Sequence, residues 1–161
     1  LDETFIGGKA HNMHKAKRER LGGRGTAGKQ AVFGAVERSG KVLALTVPNV
    51  DGVTLLPHIR KHVIPASTIY TDEMGAYKYL GENGYNHKRI NHTEQVYVSG
   101  DIHTNTIEGF WSLVKRGIGG VYHAVSAKHL QGYLNEYSWR YNHRNGGRVM
   151  FESLLLRTVR G

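Results

Sequence analysis

Three observations predict an α/β domain built on a mixed five-stranded sheet. Three apolar, strand-like runs come first in the chain, spaced by a basic glycine-rich stretch and a tight turn. Helix and strand patterns then alternate. Two amphipathic helical runs close the pattern. At 161 residues the chain fits a single domain, 1–161, large enough to bury a core.

Taken in order, residues 1–6 (LDETFI) read as the end of a strand. Residues 9–29 hold Lys9, Lys15, Lys17, Arg18, Arg20, Arg24 and Lys29 against the single acid Glu19, which predicts an exposed, basic, Gly-rich loop. QAVFGAVER and KVLALTV are apolar β-branched runs joined by Ser39-Gly40, the pattern of a hairpin. Thr54 is placed to cap a helix with Leu55, Leu56, Ile59 and Val63 on one face, and Pro57 falls in its first turn, where a missing N–H costs little. STIYTD is a short buried strand, MGAYKYL a short helix that Gly81 stops, and NHKRINH a fifth strand. Over 104–117 a helix carries Ile107, Phe110 and Val114 inward, with Ile118 one turn on. The last helix starts after a Ser126 cap and buries Leu130, Tyr133, Leu134, Tyr137 and Tyr141. The order βββ-α-β-α-β-α-α describes a mixed sheet of the ribonuclease H kind with C-terminal helices.

Charge and composition narrow the partners. A formal charge of +9 and a pI near 9.9 favour a polyanion. No cysteine is present, so disulfides and Cys-based zinc sites are excluded, which fits a reducing compartment. No apolar run approaches the roughly 20 residues of a membrane span. The chain begins at Leu1, with a candidate site residue at position 2, and reads as a fragment lacking the start of its first strand.

Three carboxylates stand in useful contexts: Asp2 in a strand, Asp72 at a strand end and Glu108 on a helix. In a ribonuclease H-like sheet the first strand and the end of the fourth are neighbours, so Asp2 and Asp72 would converge, with Glu108 supplied by a helix across the sheet. Two Mg²⁺ or Mn²⁺ ions held by such acids can activate water and stabilise the leaving oxygen of a phosphodiester. Glu3 and Glu73 follow the two aspartates, and strand alternation lets one member of each pair face the site. For a lone aspartate, a solvated strand end is the alternative. Lys115 lies two turns beyond Glu108 on the same face with Trp111 between, a pairing suited to a phosphate backbone. The alternative is an exposed Glu–Trp–Lys stripe without chemistry.

Two other patterns are set aside. GRGTAGK matches a phosphate loop, but Gln30 replaces the Ser or Thr that would bind Mg²⁺, so a DNA-contacting loop is expected and no nucleotide cofactor. His58 and His62 have chelating spacing, yet HIRKH lacks the glutamate of a metalloprotease helix. His103, beside Asn105 at the start of the Glu108 helix, is placed to touch a phosphate or a water.

DETFIGGK, GRGTAGK, TDEMGAY, GYNHKRINH, HTNTIEGFWSLVKRGIGGVYH and KHLQGYLNEYSWRYNHR, in that order, resemble the DDE transposases of bacterial insertion sequences, specifically the ISXO-type group. The resemblance runs from residue 1 to about 144. It implies a ribonuclease H-like fold and a metal site of Asp2, Asp72 and Glu108, with Lys115 as the helix lysine. In many members the third position is Asn; here it is Glu. It further implies DNA nicking and strand transfer, with transposon ends and target DNA as partners, in the bacterial cytosol or nucleoid. Lys115, Arg116, Trp111, His103, Asn105, Lys15, Lys17, Arg18, Arg24 and Lys29 are the expected DNA contacts, Trp111 as a base wedge or else as core. A homodimer or higher synaptic assembly is expected because two ends must be held together. Family members also carry an N-terminal DNA-recognition segment, absent from this sequence. Two rival readings share the charge: a ribonuclease H-like nuclease or resolvase that only hydrolyses, and a non-catalytic DNA-binding relic.

Overall fold

The computed structural model describes residues 1–8, 14–20, 25–38, 40–90, 105–122, 125–146 and 148–159. Asp2–Ile6 forms β1, Gln30–Val36 β2 and Val42–Val47 β3, antiparallel in the order β1-β2-β3. Asp2 stands opposite Gly34, and Val36 opposite Val42. Thr68–Thr71 (β4) and Asn86–Arg89 (β5) pair in parallel. The strands therefore fall into sheets of three and two, rather than the single five-stranded sheet expected. The edges meet where the Leu1 nitrogen donates to the Tyr70 carbonyl at 2.6 Å. One such bond sets β1 beside β4 without making a ladder.

β2 explains the layering. Ala31, Val32, Phe33 and Gly34 are buried in succession, so this strand is covered on both faces, as its continuous apolar run requires. On one face Ile6, Val32, Val42 and Ala44 pack against two long helices, Asn105–Gly120 and Ala127–Asn142. On the other, Phe33 and Val47 pack with Leu55, Ile59, Ile69, Tyr77 and Leu80.

Six-residue helix α1 (Lys15–Arg20) lies within the stretch expected to be loop. It has no apolar stripe, so periodicity could not reveal it. Helix α2 spans Gly52–His62 and buries Leu55 and Ile59. Its cap is Asp51, not Thr54: the Asp51 carboxylate accepts from the Thr54 N–H at 2.8 Å. Pro57 thus sits in the second turn, where the Val53 carbonyl loses its helical donor. A 3₁₀ turn at Gly75–Tyr77 replaces the short helix expected there.

Asn105–Gly120 (α3) buries Ile107, Phe110, Val114 and Ile118, as its spacing predicts. Ser126 precedes Ala127–Asn142 (α4) as predicted, although its side chain makes no cap bond. Leu130 and Leu134 are buried, Tyr137 and Tyr141 pack beside them, and Tyr133 lies edge-on to Tyr122 at 4.5 Å. A further helix, α5 (Arg148–Val159), follows.

α4 also covers the free edge of β3. Gln131 Oε1 accepts from the Thr46 N–H at 2.7 Å, and its Nε2 donates to the Ala44 carbonyl at 3.0 Å. Asn142 does the same at Val42, accepting at 2.6 Å and donating at 2.9 Å. Side-chain amides thus replace the missing strand and block edge pairing. Gln131→Ala should leave the fold intact and lower stability by about 1–3 kcal/mol, read by urea denaturation, because it strands two backbone groups.

Candidate functional site

Asp2 opens β1 and Asp72 follows the last residue of β4, so the Leu1–Tyr70 bond brings both to one junction. Asp2, Glu3 and Asp72 each offer a carboxylate oxygen, and these oxygens lie within 4.8 Å of one another. Adjacent strand residues point to opposite faces. Asp2 accordingly meets α3, where the Trp111 indole N–H donates to Oδ2 at 2.9 Å. Glu3 meets the other layer, where the Tyr77 hydroxyl donates to Oε2. Both belong to β1, an edge of the three-stranded sheet, so their oxygens still reach Asp72 around the strand. Asp72 Oδ1 accepts from the Met74 N–H at 3.1 Å.

Burial raises the Asp2 carboxyl above its ordinary range; bonds from the Glu3 backbone and Trp111 oppose the shift, and the Asp72 charge adds to it. Glu3 rises from 4.5 to about 7, again chiefly by burial, with the Tyr77 bond opposing and Asp72 and Asp2 reinforcing. Burial and the Glu3 charge push the Tyr77 phenol up. Three carboxylates this close repel when ionised. The donor set is all hard oxygen, of the kind that suits Mg²⁺ or Mn²⁺, and such an ion would relieve the repulsion.

Glu108 lies in the first turn of α3, exposed and outside this trio of oxygens. A helix turns about 100° per residue, so Glu108 stands on the flank of the helix next to buried Ile107. Lys115 falls on the same flank, and it and Arg116 are exposed. The Arg116 guanidinium donates back to the Ser112 carbonyl at 3.4 Å. Trp111 departs from the wedge expectation: at 4 % exposure it belongs to the core, its ring 5.3 Å from that of Phe110. Asn105 is the first residue of α3. In the basic segment Lys15, Lys17 and Arg18 fall in α1, with the Lys15 ammonium 4.0 Å from Glu19. Lys29 ends a turn through its N–H to Thr26 at 3.0 Å, and the chain passes from there into β2, not into a helix. Arg24 and His103 lie outside the described residues. His62 spends its Nδ1 on the His58 carbonyl at 2.8 Å.

Sequence reasoning leaves Glu3 and Tyr77 unassigned and gives Trp111 a different role. Glu3 was visible as half of a DE pair, without a reason to choose it. Tyr77, within TDEMGAY, and the Trp111 bond to Asp2 need the tertiary fold, since their partners are 74 and 109 residues away.

The arrangement defines an α/β domain that gathers carboxylates at its strand ends, with α3 and α4 on one face of the three-stranded sheet and α2 on the other. The sequence matches the ISXO2-like transposase domain over residues 1–142. It is 37 % identical over 102 residues to an uncharacterized transposase-like protein of Haemophilus influenzae, covering 63 % of this chain and 81 % of that one. Over 74 residues it is 35 % identical to an uncharacterized protein in transposable element ISH50 of Halobacterium salinarum, 45 % of this chain and 25 % of that protein. The chain belongs to the ISXO2-like transposase family.

The acid site makes stability depend on pH. Between about 4.5 and about 7 the folded state keeps a proton on Glu3 that the unfolded state has lost. Without divalent ions, stability should therefore fall as pH rises through that window, Asp2 contributing with the same sign. Glu3→Gln should flatten the curve of Tm against pH there. A mutant curve parallel to the wild type would contradict the assignment.

Proposed function

We propose that this domain cuts and joins DNA at the ends of an insertion sequence, in a ribonuclease H-like fold, using Mg²⁺ or Mn²⁺ held by Asp2, Asp72 and Glu108. The observation that carries the reading is the approach of Asp2 and Asp72 to within 4.8 Å, from separate sheets, in a transposase-family domain. The Leu1–Tyr70 bond supports a β1–β4 neighbourhood of the kind a five-stranded sheet needs. Bound at the acids, two divalent ions would polarise the phosphodiester and stabilise both entering and leaving oxygens.

The side chains of this chain have separable tasks. Asp2 and Asp72 present oxygens from the strand ends, Glu3 sits among them, and Glu108 brings a carboxylate from α3. A water oxygen attacks phosphorus at the transposon end and the bond to the 3′-oxygen breaks. The freed 3′-hydroxyl then attacks a target phosphodiester in line. Its oxygen bonds to phosphorus as the target's own bond from phosphorus to the 3′-oxygen breaks, the proton ends on that leaving oxygen, and no covalent protein intermediate forms. Exposed Lys115 and Arg116, on the helix that carries Glu108, grip the backbone, and cations of the 9–29 segment extend that contact. Such contacts position DNA without reading its sequence. His103 and Asn105, at the approach to α3, supply a phosphate or water contact. Two ends held together call for a dimer or higher synaptic assembly, acting in the bacterial cytosol or nucleoid. Among the described residues no helix is long and apolar enough to cross a membrane.

Asp72→Asn in the full-length protein should lower Mg²⁺-dependent strand transfer by at least roughly 100-fold, beyond the 10–100-fold typical of changes one shell further out. Undiminished joining would sink the proposal. Nicked DNA that is never joined would assign a hydrolase instead, and DNA binding without metal-dependent cutting a relic. Glu108→Gln should match Asp72→Asn, whereas Lys115→Ala should weaken binding to all DNA sequences alike and reduce the salt slope by about 1.

A further inference from the structure

Trp111 combines two features that ordinary core packing does not require together. It is 4 % exposed, yet its indole N–H reaches out of the apolar layer to the Asp2 carboxylate at 2.9 Å. The path is cleared by Gly34, the residue paired with Asp2 across β1 and β2. A Cβ at Gly34 would lie 2.3 Å from Trp111 Cζ2 and 2.7 Å from Cη2. Any larger residue there would push the ring off the strand. Glycine weakens a strand interior, and here its use marks a close approach by another group. Gly34 makes the seat, and α3 delivers the ring into it.

The indole N–H is a donor only, and a carboxylate is an acceptor only, so the bond has one polarity and holds one oxygen of Asp2 in a fixed direction. The same ring lies one turn beyond Glu108 on α3. The bond therefore joins the helix that carries Glu108 to the strand that carries Asp2.

We propose that Trp111 is a positioning residue: seated over Gly34, its indole N–H fixes the Asp2 carboxylate toward Asp72 and so sets the affinity of the acid site for a divalent cation. The inference rests on the reading of that site as a metal centre. Outer partners that orient a metal ligand typically govern 10–100-fold of affinity.

The experiment is Mn²⁺ and Mg²⁺ binding by calorimetry on the full-length protein. Asp72→Asn tests the metal reading itself: if it leaves binding unchanged, the acid site is not the metal centre, whatever Trp111 does. Given Asp72-dependent binding, Trp111→Phe, which keeps an aromatic ring and loses the N–H, should weaken Mn²⁺ affinity about 10-fold or more. Val114→Ala, a change in the same buried face of α3, should lower Tm and leave affinity unchanged. Wild-type affinity in Trp111→Phe, or an equal loss in Val114→Ala at matched stability, would overturn the proposal. The native chain gives a second readout if Trp111→Phe fails to fold. Its two tryptophans, Trp111 and Trp139, give two indole N–H resonances, which Trp139→Phe assigns. Mg²⁺ should shift the Trp111 resonance and spare that of Trp139; an unmoved Trp111 signal at saturating Mg²⁺ would reject the coupling.

Discussion

The burial of β2 on both faces is the constraint from which the rest of the domain follows. Val32 points to one layer and Phe33 to the other, and neither retains any exposure. Burying such side chains is worth about 1.5–3 kcal/mol each, so both layers have to be supplied. α3 and α4 provide one through Phe110, Val114, Leu130 and Leu134. α2, β4 and the turn at Tyr77 provide the other through Leu55, Ile59, Ile69 and Tyr77 itself. β1, paired to β2, then has one layer on each side of its first two residues. That is why Asp2 meets Trp111 from one layer and Glu3 meets Tyr77 from the opposite one.

Placing carboxylates at this junction opposes the hydrophobic logic that built it. A buried charge without partners costs several kcal/mol, and the domain answers with a donor for each acid. Trp111 serves Asp2, Tyr77 serves Glu3, and the Met74 N–H serves Asp72. Burial still outweighs these bonds at Asp2 and Glu3, whose carboxyls remain raised. The site is therefore incompletely compensated by protein alone. On the proposed reading, a divalent ion completes it by offsetting the repulsion among the three carboxylates.

What was legible in the sequence was whatever depends on local periodicity. The apolar residues of α2, α3 and α4 recur at helical spacing, and the hairpin of β2 and β3 shows in its β-branched runs. Asp2 and Asp72 were readable as acids at strand ends. The less legible features are polar or long-range. α1 has no apolar stripe, and the run VMFESLLL in α5 puts apolar residues at nearly every position, so neither displays a face. Asp51 outcompeted Thr54 as the cap because its carboxylate reaches the Thr54 N–H from three residues back. The edge cover of β3 by Gln131 and Asn142 spans 85 to 100 residues, far beyond any pattern.

On the proposed reading two acids are candidates for the third place beside Asp2 and Asp72, and their surroundings differ in kind. Glu3 is half-buried, bonded to Tyr77 and within 4.8 Å of both aspartates. Glu108 is exposed on the flank of α3, with Lys115 and Arg116 along the same helix. A substrate as large and as highly charged as DNA would meet the exposed flank of α3. On the proposed reading the half-buried trio forms the floor that receives a cation, and Glu108 stands at the side from which the phosphate arrives. Trp111 belongs to both regions, since it lies in the core and bonds the floor while sharing a helix with the flank. On that reading a displacement of α3 would act on both acids, on Asp2 through the Trp111 bond and on Glu108 directly.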